Sequence, residues 1–132
     1  MKGLMNIGAV AERSGISAKS IRYYESMGVI PEAKRTEGNY RAYDQNDVDM
    51  LKFVGRARHL GFGLNEIKML LNLWNDPTRT NTDVRLLALK HVTTLKEQKR
   101  ELESMLSILN DLINKCEQAE DPDCPILDDM AK

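Results

Sequence analysis

The chain has 132 residues, a length that suits one domain or a small domain followed by a long helical extension. Hydrophobic residues make up 42% of it and charged residues 30%, as in ordinary globular proteins. No stretch approaches the roughly 18 uninterrupted apolar residues of a membrane span, and no signal peptide is evident. These features exclude an integral membrane protein, and we expect a cytoplasmic protein that contacts no membrane.

The net charge of −1 conceals a polarity along the chain. Residues 1–60 carry ten Lys/Arg against seven Asp/Glu, whereas residues 111–132 carry two against seven. A basic N-terminal part favours contact with phosphate groups, and the acidic C-terminal part would be repelled by them. The basic excess is small, so it supports nucleic-acid binding only together with other features.

Two short helices are predicted first, over residues 7–13 and 18–27. The turn between them contains Gly15, and Ser17 is placed to cap the second helix with its hydroxyl. Gly28 suits the left-handed position that follows a helix. Two short helices joined by a turn of this length predict a helix-turn-helix.

The second helix of this motif is expected to enter the major groove of DNA. Its spacing places Lys19, Arg22 and Tyr23 on neighbouring turns of the exposed face. Ile21 and Tyr24 are expected to face inward. We therefore predict that Lys19, Arg22 and Tyr23 contact DNA.

A β-hairpin is predicted directly after the helix-turn-helix, because residues 31–43 break the helical period. Residues 33–36 and 40–43 would form its strands, with the turn at Gly38 and Asn39. Its basic and aromatic composition is typical of a wing that lies along a phosphate backbone. A solvated charged face on a helical bundle is the alternative for each residue singly, but it explains the combination poorly. The wing residues predicted to contact DNA are Arg35, Tyr40 and Arg41.

Two further helices complete the first domain. Asp44 begins the third, which closes at Gly61, and the fourth covers about residues 64–74. The sequence thus predicts a winged helix-turn-helix DNA-binding domain over residues 1–76.

One long helix dominates the rest, from about residue 81 to 115. Apolar residues, with His91 and Gln98 as the two polar exceptions, recur in alternating steps of four and three. This spacing is a heptad pattern. Such a stripe needs a second copy of the chain, so residues 77–115 are predicted to form a dimerisation helix in a coiled coil. The alternative is a helix folded back on its own domain. The positions of the stripe are Val84, Ala88, His91, Leu95, Gln98, Leu102, Met105, Leu109 and Leu112.

Residues 116–132 are acidic and contain both cysteines of the chain, Cys116 and Cys124, separated by seven residues. We expect a metal-binding loop there, followed by a short helix with Pro125 at its first position. Zinc normally takes four ligands, and the two histidines, His59 and His91, lie far away in sequence. Two thiolates alone favour a soft ion such as Cu(I) or its heavier relatives. A free or oxidisable cysteine pair is the alternative.

Several short sequence motifs, in this order, resemble the MerR family of metal-responsive regulators, and the resemblance covers nearly the whole chain. The motifs in the second half of the chain are similar to the copper-efflux branch of that family. The most specific pieces are Ile21-Arg22-Tyr23-Tyr24-Glu25, Gly28, Asn39-Tyr40-Arg41-Ala42-Tyr43 and Leu60-Gly61-Phe62, followed for the copper branch by Asn75-Asp76-Pro77, the long helix and Cys116-x7-Cys124-Pro125-Ile126.

The resemblance implies a homodimer that pairs its long helices in antiparallel fashion and binds a palindromic site in double-stranded promoter DNA. It implies that metal binding makes the protein bend and undertwist this DNA, so that RNA polymerase engages the promoter of copper export or detoxification genes. It further implies that Cu(I), or Ag(I) or Au(I), lies between the thiolates of Cys116 and Cys124. Relatives that sense divalent ions carry an extra cysteine near the start of the partner subunit's long helix. This chain has Asn81 at the matching position, and the missing thiolate argues for a +1 ion. Copper-branch members usually have serine there, so Asn81 is a departure.

Three other functions compete with this one. A redox sensor would use the same two cysteines as a reversible disulfide. A multidrug-binding member of the same fold would need a ligand domain after the long helix, where only 17 residues remain after Lys115. An enzyme would need a catalytic set or a phosphate loop, and the sequence shows neither. We therefore expect a regulator and not an enzyme.

Overall fold

The computed structural model describes residues 4–132, so the first three residues of the predicted DNA-binding domain lie outside the described part. The chain is mainly helical, as predicted, and it divides into two compact units, the first ending at Leu87 and the second running from Ala88 to Lys132. The elements are α1 (Ile7–Ser14), α2 (Ala18–Ser26), β1 (Lys34–Arg35), β2 (Arg41–Ala42), α3 (Gln45–His59), α4 (Leu64–Asn75), α5 (Asn81–Gln118) and α6 (Pro125–Met130).

The helix-turn-helix forms where the local signals place it. The Ser17 hydroxyl accepts a hydrogen bond from the Ser20 backbone N–H at 3.1 Å, which caps α2. Gly15 and Gly28 have φ values of 77° and 71°, so each provides the left-handed residue that ends the helix before it. Ile21 is fully buried, so α2 packs with its predicted inner face against the core.

The wing is a two-stranded antiparallel hairpin in which Lys34 pairs with Ala42 and Arg35 with Arg41. Asn39 adopts φ 63° in the turn, a conformation that asparagine tolerates better than most residues. The hairpin is tied to the N-terminal segment by backbone hydrogen bonds of 2.7 and 2.9 Å between Met5 and Tyr43. These findings confirm the predicted hairpin and its turn.

Helices α3 and α4 enclose the core of the first unit. The N-terminus of α3 has a capping box in which the Asp44 carboxylate accepts from the Asp47 N–H at 3.0 Å and Asp47 accepts from the Asp44 N–H at 2.9 Å. Gly61, after α3, has φ 87° and closes that helix. The largest fully buried side chains are Val10, Ile21, Val48, Leu51, Val54 and Ile67.

The connection from α4 to α5 is held by side-chain hydrogen bonds. The Asp76 carboxylate accepts from the backbone N–H and the hydroxyl of Thr78 at 2.8 and 2.7 Å. Arg79 Nη1 donates to the carbonyl oxygen of Trp74 at 3.1 Å, near the C-terminal end of α4. Leu87 of α5 packs against the core. The first turns of α5 are therefore part of the first compact unit.

In the second unit, the predicted end of the long helix is wrong. Helix α5 continues to Gln118 instead of ending near Lys115, so Cys116 lies in the last turn of a helix and not in a loop. Helix α6 begins at Pro125 with Cys124 as its N-cap residue, as predicted. No helix in the described part of the chain is both long enough and apolar enough to cross a membrane.

The apolar stripe of α5 is only partly covered within the chain. Leu112 and His91 are buried, with 8% and 5% of their surface exposed, so the chain itself shields these two positions. Four other stripe positions remain open to solvent, with 41–58% of their surface exposed: Leu95, Leu102, Met105 and Leu109.

Candidate DNA-binding and metal-sensing sites

The exposed face of α2 carries the residues that the sequence assigned to DNA. Lys19, Arg22 and Tyr23 are all exposed, Tyr23 with half of its surface in solvent. Tyr24 is half-buried and packs against the core, as expected. The local geometry thus gives α2 one polar, basic face and one apolar face, which is the division that a recognition helix requires.

The structure brings three of the predicted DNA contacts together. Arg22 of α2 and Arg35 and Arg41 of the wing line one cleft of about 190 Å³. Tyr40 is highly exposed at the end of the wing, with 75% of its surface in solvent. Three guanidinium groups outnumber the carboxylates of Glu25 and Glu32 in this cleft, and the net positive charge suits a small anion such as a phosphate group.

Glu25, which the sequence pattern did not single out, lines the same cleft. It is 9% exposed, Tyr43 Oη donates to its Oε1 at 2.5 Å, and Arg41 Nε donates to its Oε2 at 3.4 Å. Burial, and then the hydrogen bond to Glu25, raise the pKa of Tyr43 well above its usual value. The sequence did contain a sign that Glu25 is buried. It follows Ile21 by four residues and therefore lies on the same, buried face of α2.

The two cysteines lie close together, with Cys116 in the last turn of α5 and Cys124 as the N-cap residue of α6. Both are half-buried and free, and Cys124 is near enough to affect the pKa of the Cys116 thiol. Partial desolvation, followed by the neighbouring Cys124 sulfur and the carboxylates of Asp121 and Glu117, raises the pKa of the Cys116 thiol. Residues 4–132 show no group of three or more His, Cys, Asp or Glu side chains arranged to hold a metal ion.

Helix α6 lies near the last turns of α5. Leu112 of α5 and Pro125 of α6 line one depression of about 240 Å³, together with Lys132, which follows α6. Ile126 is half-buried, whereas Leu127 and Met130 have 66% and 68% of their surface exposed. The return of the chain that places α6 here also brings Cys124 beside Cys116. Two soft sulfur donors at one place fit a soft metal ion.

A winged helix-turn-helix followed by a long helix with an exposed apolar stripe defines a DNA-binding transcription regulator. The chain belongs to the MerR family: the model of MerR helix-turn-helix regulatory proteins matches residues 5–74, and the MerR DNA-binding model matches residues 48–112.

Similar proteins extend over nearly the whole chain. It is 46% identical over 127 residues to heavy metal-dependent transcription regulator 2 of Rhizobium meliloti (strain 1021), covering 96% of this chain and 86% of the relative. It is 38% identical to the regulator CueR of Escherichia coli O6:H1, covering 96% and 94%. The crystal structure of PbrR691 from Ralstonia metallidurans CH34 with lead(II) matches with a TM-score of 0.80 and 32% identity, covering 96% and 98%. These relatives are transcription regulators rather than enzymes, as the sequence led us to expect.

Proposed function

We propose that this protein is a metal-responsive transcriptional activator that senses Cu(I), or the related ions Ag(I) and Au(I), through Cys116 and Cys124. The observation that carries the proposal is the meeting of these two thiols between the last turn of α5 and the N-terminus of α6. Relatives named for dependence on heavy metal, and a similar structure with lead(II), support a metal as the signal.

The number and type of the donors favour a monovalent soft ion. Two thiolates are enough for a soft +1 ion, and the carboxylates of Glu117 and Asp121 oppose the extra negative charge that a third thiolate would add. A divalent ion would call for more donors, and the residue at the start of α5 is Asn81, whose amide is a hard ligand. Bound there, the ion would supply two soft bonds that fix α6 to the end of α5.

The DNA-binding surface that we propose consists of the exposed face of α2 and the wing. Arg22, Arg35 and Arg41 surround one cleft and are suited to backbone phosphates, which position a protein on DNA. The exposed apolar positions of α5 are suited to a second copy of the chain, so we propose a homodimer that binds a palindromic promoter site. The proposed contacts are Lys19, Arg22, Tyr23, Arg35, Tyr40 and Arg41.

The response to metal has to come from the second unit. Once metal fixes residues 116–124, α6 can present Ile126, Leu127 and Met130 as an apolar face that docks against the last turns of α5. Two of these side chains are largely exposed, so their burial supplies a free-energy difference between two states of the protein. Deforming a promoter costs on the order of 1–6 kcal/mol, and a bias of this size would let RNA polymerase engage genes for copper export or detoxification.

Metal titration of the reduced protein tests the proposal. We expect one Cu(I) per pair of cysteines in competition with a Cu(I) chelator, and much weaker binding of Zn(II). X-ray absorption of the loaded protein should show two sulfur neighbours. Three or four donors, or nitrogen and oxygen neighbours, would overturn the two-thiolate site.

A redox sensor is the second candidate, since two adjacent thiols also suit a reversible disulfide. Such a sensor would change promoter activity on mild oxidation and would show no tight, stoichiometric binding of Cu(I). The same titration, followed by transcription assays under reducing and oxidising conditions, separates the two functions.

A further inference from the structure

A buried carboxylate connects the recognition helix to the wing. Glu25 of α2 is 9% exposed, and its two oxygens accept hydrogen bonds from two residues of the wing side, Tyr43 at 2.5 Å and Arg41 at 3.4 Å. A buried carboxylate is costly unless it is paired and hydrogen-bonded. The position of Glu25 is therefore coupled to that of Arg41.

Arg41 itself lies in a crowded cationic position. It is the direct cross-strand partner of Arg35, and like charges placed opposite each other on a hairpin repel. Both line the cleft of about 190 Å³, to which Arg22 contributes from α2. Glu25 uses Nε of Arg41, and a guanidinium group carries two further nitrogens that can donate to an anion. An anion in the cleft would relieve the repulsion.

We propose that Glu25 is a positioning residue for DNA binding, which holds Arg41 by its Nε so that this arginine, with Arg22 and Arg35, clamps one backbone phosphate of the DNA in the cleft. The inference rests on the proposed DNA-binding surface and adds an acidic residue to it. The geometry of a fixed guanidinium fork matches that of a phosphate group, and the phosphate charge is present at every DNA sequence.

Whether Glu25→Gln weakens or strengthens DNA binding shows whether Glu25 positions Arg41 or only lies near the phosphate. A carboxylate near a phosphate group repels it, so a Glu25 that is only a neighbour would weaken binding, and Glu25→Gln would strengthen it. If Glu25 positions Arg41, Glu25→Gln weakens binding although each subunit loses a negative charge. Glu32 is the matched control because it is exposed and lines the same cleft. Glu32→Gln should leave binding unchanged or strengthen it.

Fluorescence anisotropy with the full-length, reduced protein measures the effect, using a labelled duplex that the wild-type protein has selected from a random-sequence library. We expect Glu25→Gln to weaken binding about tenfold for each half-site, because each subunit loses the charge-assisted hydrogen bond that holds Arg41 in place. The slope of log affinity against log salt should fall by about one for each phosphate group that the protein no longer neutralises. In an Arg41→Ala background, Glu25→Gln should leave binding unchanged or strengthen it, because Glu25 then has no arginine to position. A general loss of structure would instead weaken binding further than Arg41→Ala does alone.

Thermal unfolding by circular dichroism shows whether each variant is folded. Tyr43→Phe provides a second variant, since it keeps the carboxylate and removes one of its two anchors. It should weaken binding less than Glu25→Gln does, and this loss should also vanish with Arg41→Ala. Binding that is weakened by Arg41→Ala but unchanged or strengthened by Glu25→Gln would overturn the positioning role and leave DNA binding intact. A wild-type protein that selects no duplex would overturn the proposed function and this inference together.

Discussion

The ring of Phe53 stacks on the ring of Trp74, with centroids 4.6 Å apart and planes inclined by 10°. Phe53 belongs to α3 and packs against the core, whereas Trp74 is the next-to-last residue of α4 and is 43% exposed. The stack therefore fixes the end of α4 against the body of the first unit, directly before the connection to α5.

Replacing Trp74 with alanine should destabilise the fold by about 2 kcal/mol, less than a fully buried aromatic residue because almost half of the ring is already exposed. Trp74→Phe keeps a ring on Phe53 and should cost less than half as much. Urea unfolding at one fixed protein concentration measures both, since dimerisation makes apparent stability depend on concentration. Equal stability of the alanine and phenylalanine variants would show that the stack contributes nothing.

Arg79 should matter for the transmission of the metal signal. Its guanidinium donates to the Trp74 carbonyl at 3.1 Å and to the Asp76 carbonyl at 3.3 Å, which stabilises the C-terminal end of α4 and fixes the start of α5. Arg79→Ala should reduce Cu(I)-dependent transcription severalfold and leave operator affinity nearly unchanged. The exposed Arg85, on the first turns of the same helix, serves as the control, and Arg85→Ala should have little effect on either. Full induction by the Arg79 variant would mean that the connection need not be rigid.

The elements with strong local signals were predictable from the sequence. Ser17 and Asp44 cap helices, and Gly28 and Gly61 end them, because each acts on backbone groups within a few residues. The position of Glu25 was not predictable in this way, since its partners Arg41 and Tyr43 lie 16 and 18 residues further along the chain. A pairing at that separation depends on how the wing folds back onto α2.

The end of α5 shows a different limit. The predicted end at Lys115 followed the heptad pattern, but nothing after it stops a helix until Asp121 and Pro122. Glu117 and Gln118 are good helix formers, so the helix continues through Cys116. The meeting of Cys116 with Cys124 then depends on the return of the chain to α6, which no local rule specifies.

The capping box of α3 predicts that the stability of the fold depends on pH. The backbone N–H of Asp47 and the nearby Lys34 lower the pKa of Asp44 below its usual value. A carboxyl group with a lowered pKa stabilises the fold above its unfolded-state pKa, and that contribution is lost as the pH falls through the lowered value. Asp44→Asn keeps a capping oxygen without this titration.

The stability of the wild type relative to Asp44→Asn should therefore decrease as the pH falls below about 4. Burial raises the pKa of Asp47, and the Asp44 charge raises it further, so the comparison measures the two carboxyl groups of the capping box together. Asp44→Ala should cost about 1 kcal/mol at neutral pH. Denaturant unfolding of the three proteins across the acidic range is the measurement, and parallel pH profiles of wild type and Asp44→Asn would contradict the assignment.

Dimerisation should depend on the exposed stripe of α5. Leu102 is 58% exposed in the single chain, and the heptad pattern places it in the seam. Leu102→Glu would bury an unpaired charge on each side of the interface, so we expect a monomer at concentrations where the wild type is a dimer. Arg100→Glu places the same residue on the outer face of the helix and should remain dimeric. Sedimentation equilibrium compares them, and a dimeric Leu102→Glu would place the interface elsewhere.

Replacing either cysteine with serine should separate sensing from DNA binding. The serine hydroxyl is nearly the same size as the thiol but is a hard donor, so a soft ion loses half of its ligands in Cys116→Ser and in Cys124→Ser. Both lie in the second unit, and the proposed DNA contacts lie in the first. We therefore expect operator affinity within about twofold of the wild type and no induction by Cu(I), Ag(I) or Au(I). Transcription in vitro with purified RNA polymerase, measured beside operator binding, tests this expectation. If either variant lost operator binding, the cysteines would be structural, and the signal would have to be sought in another part of the molecule.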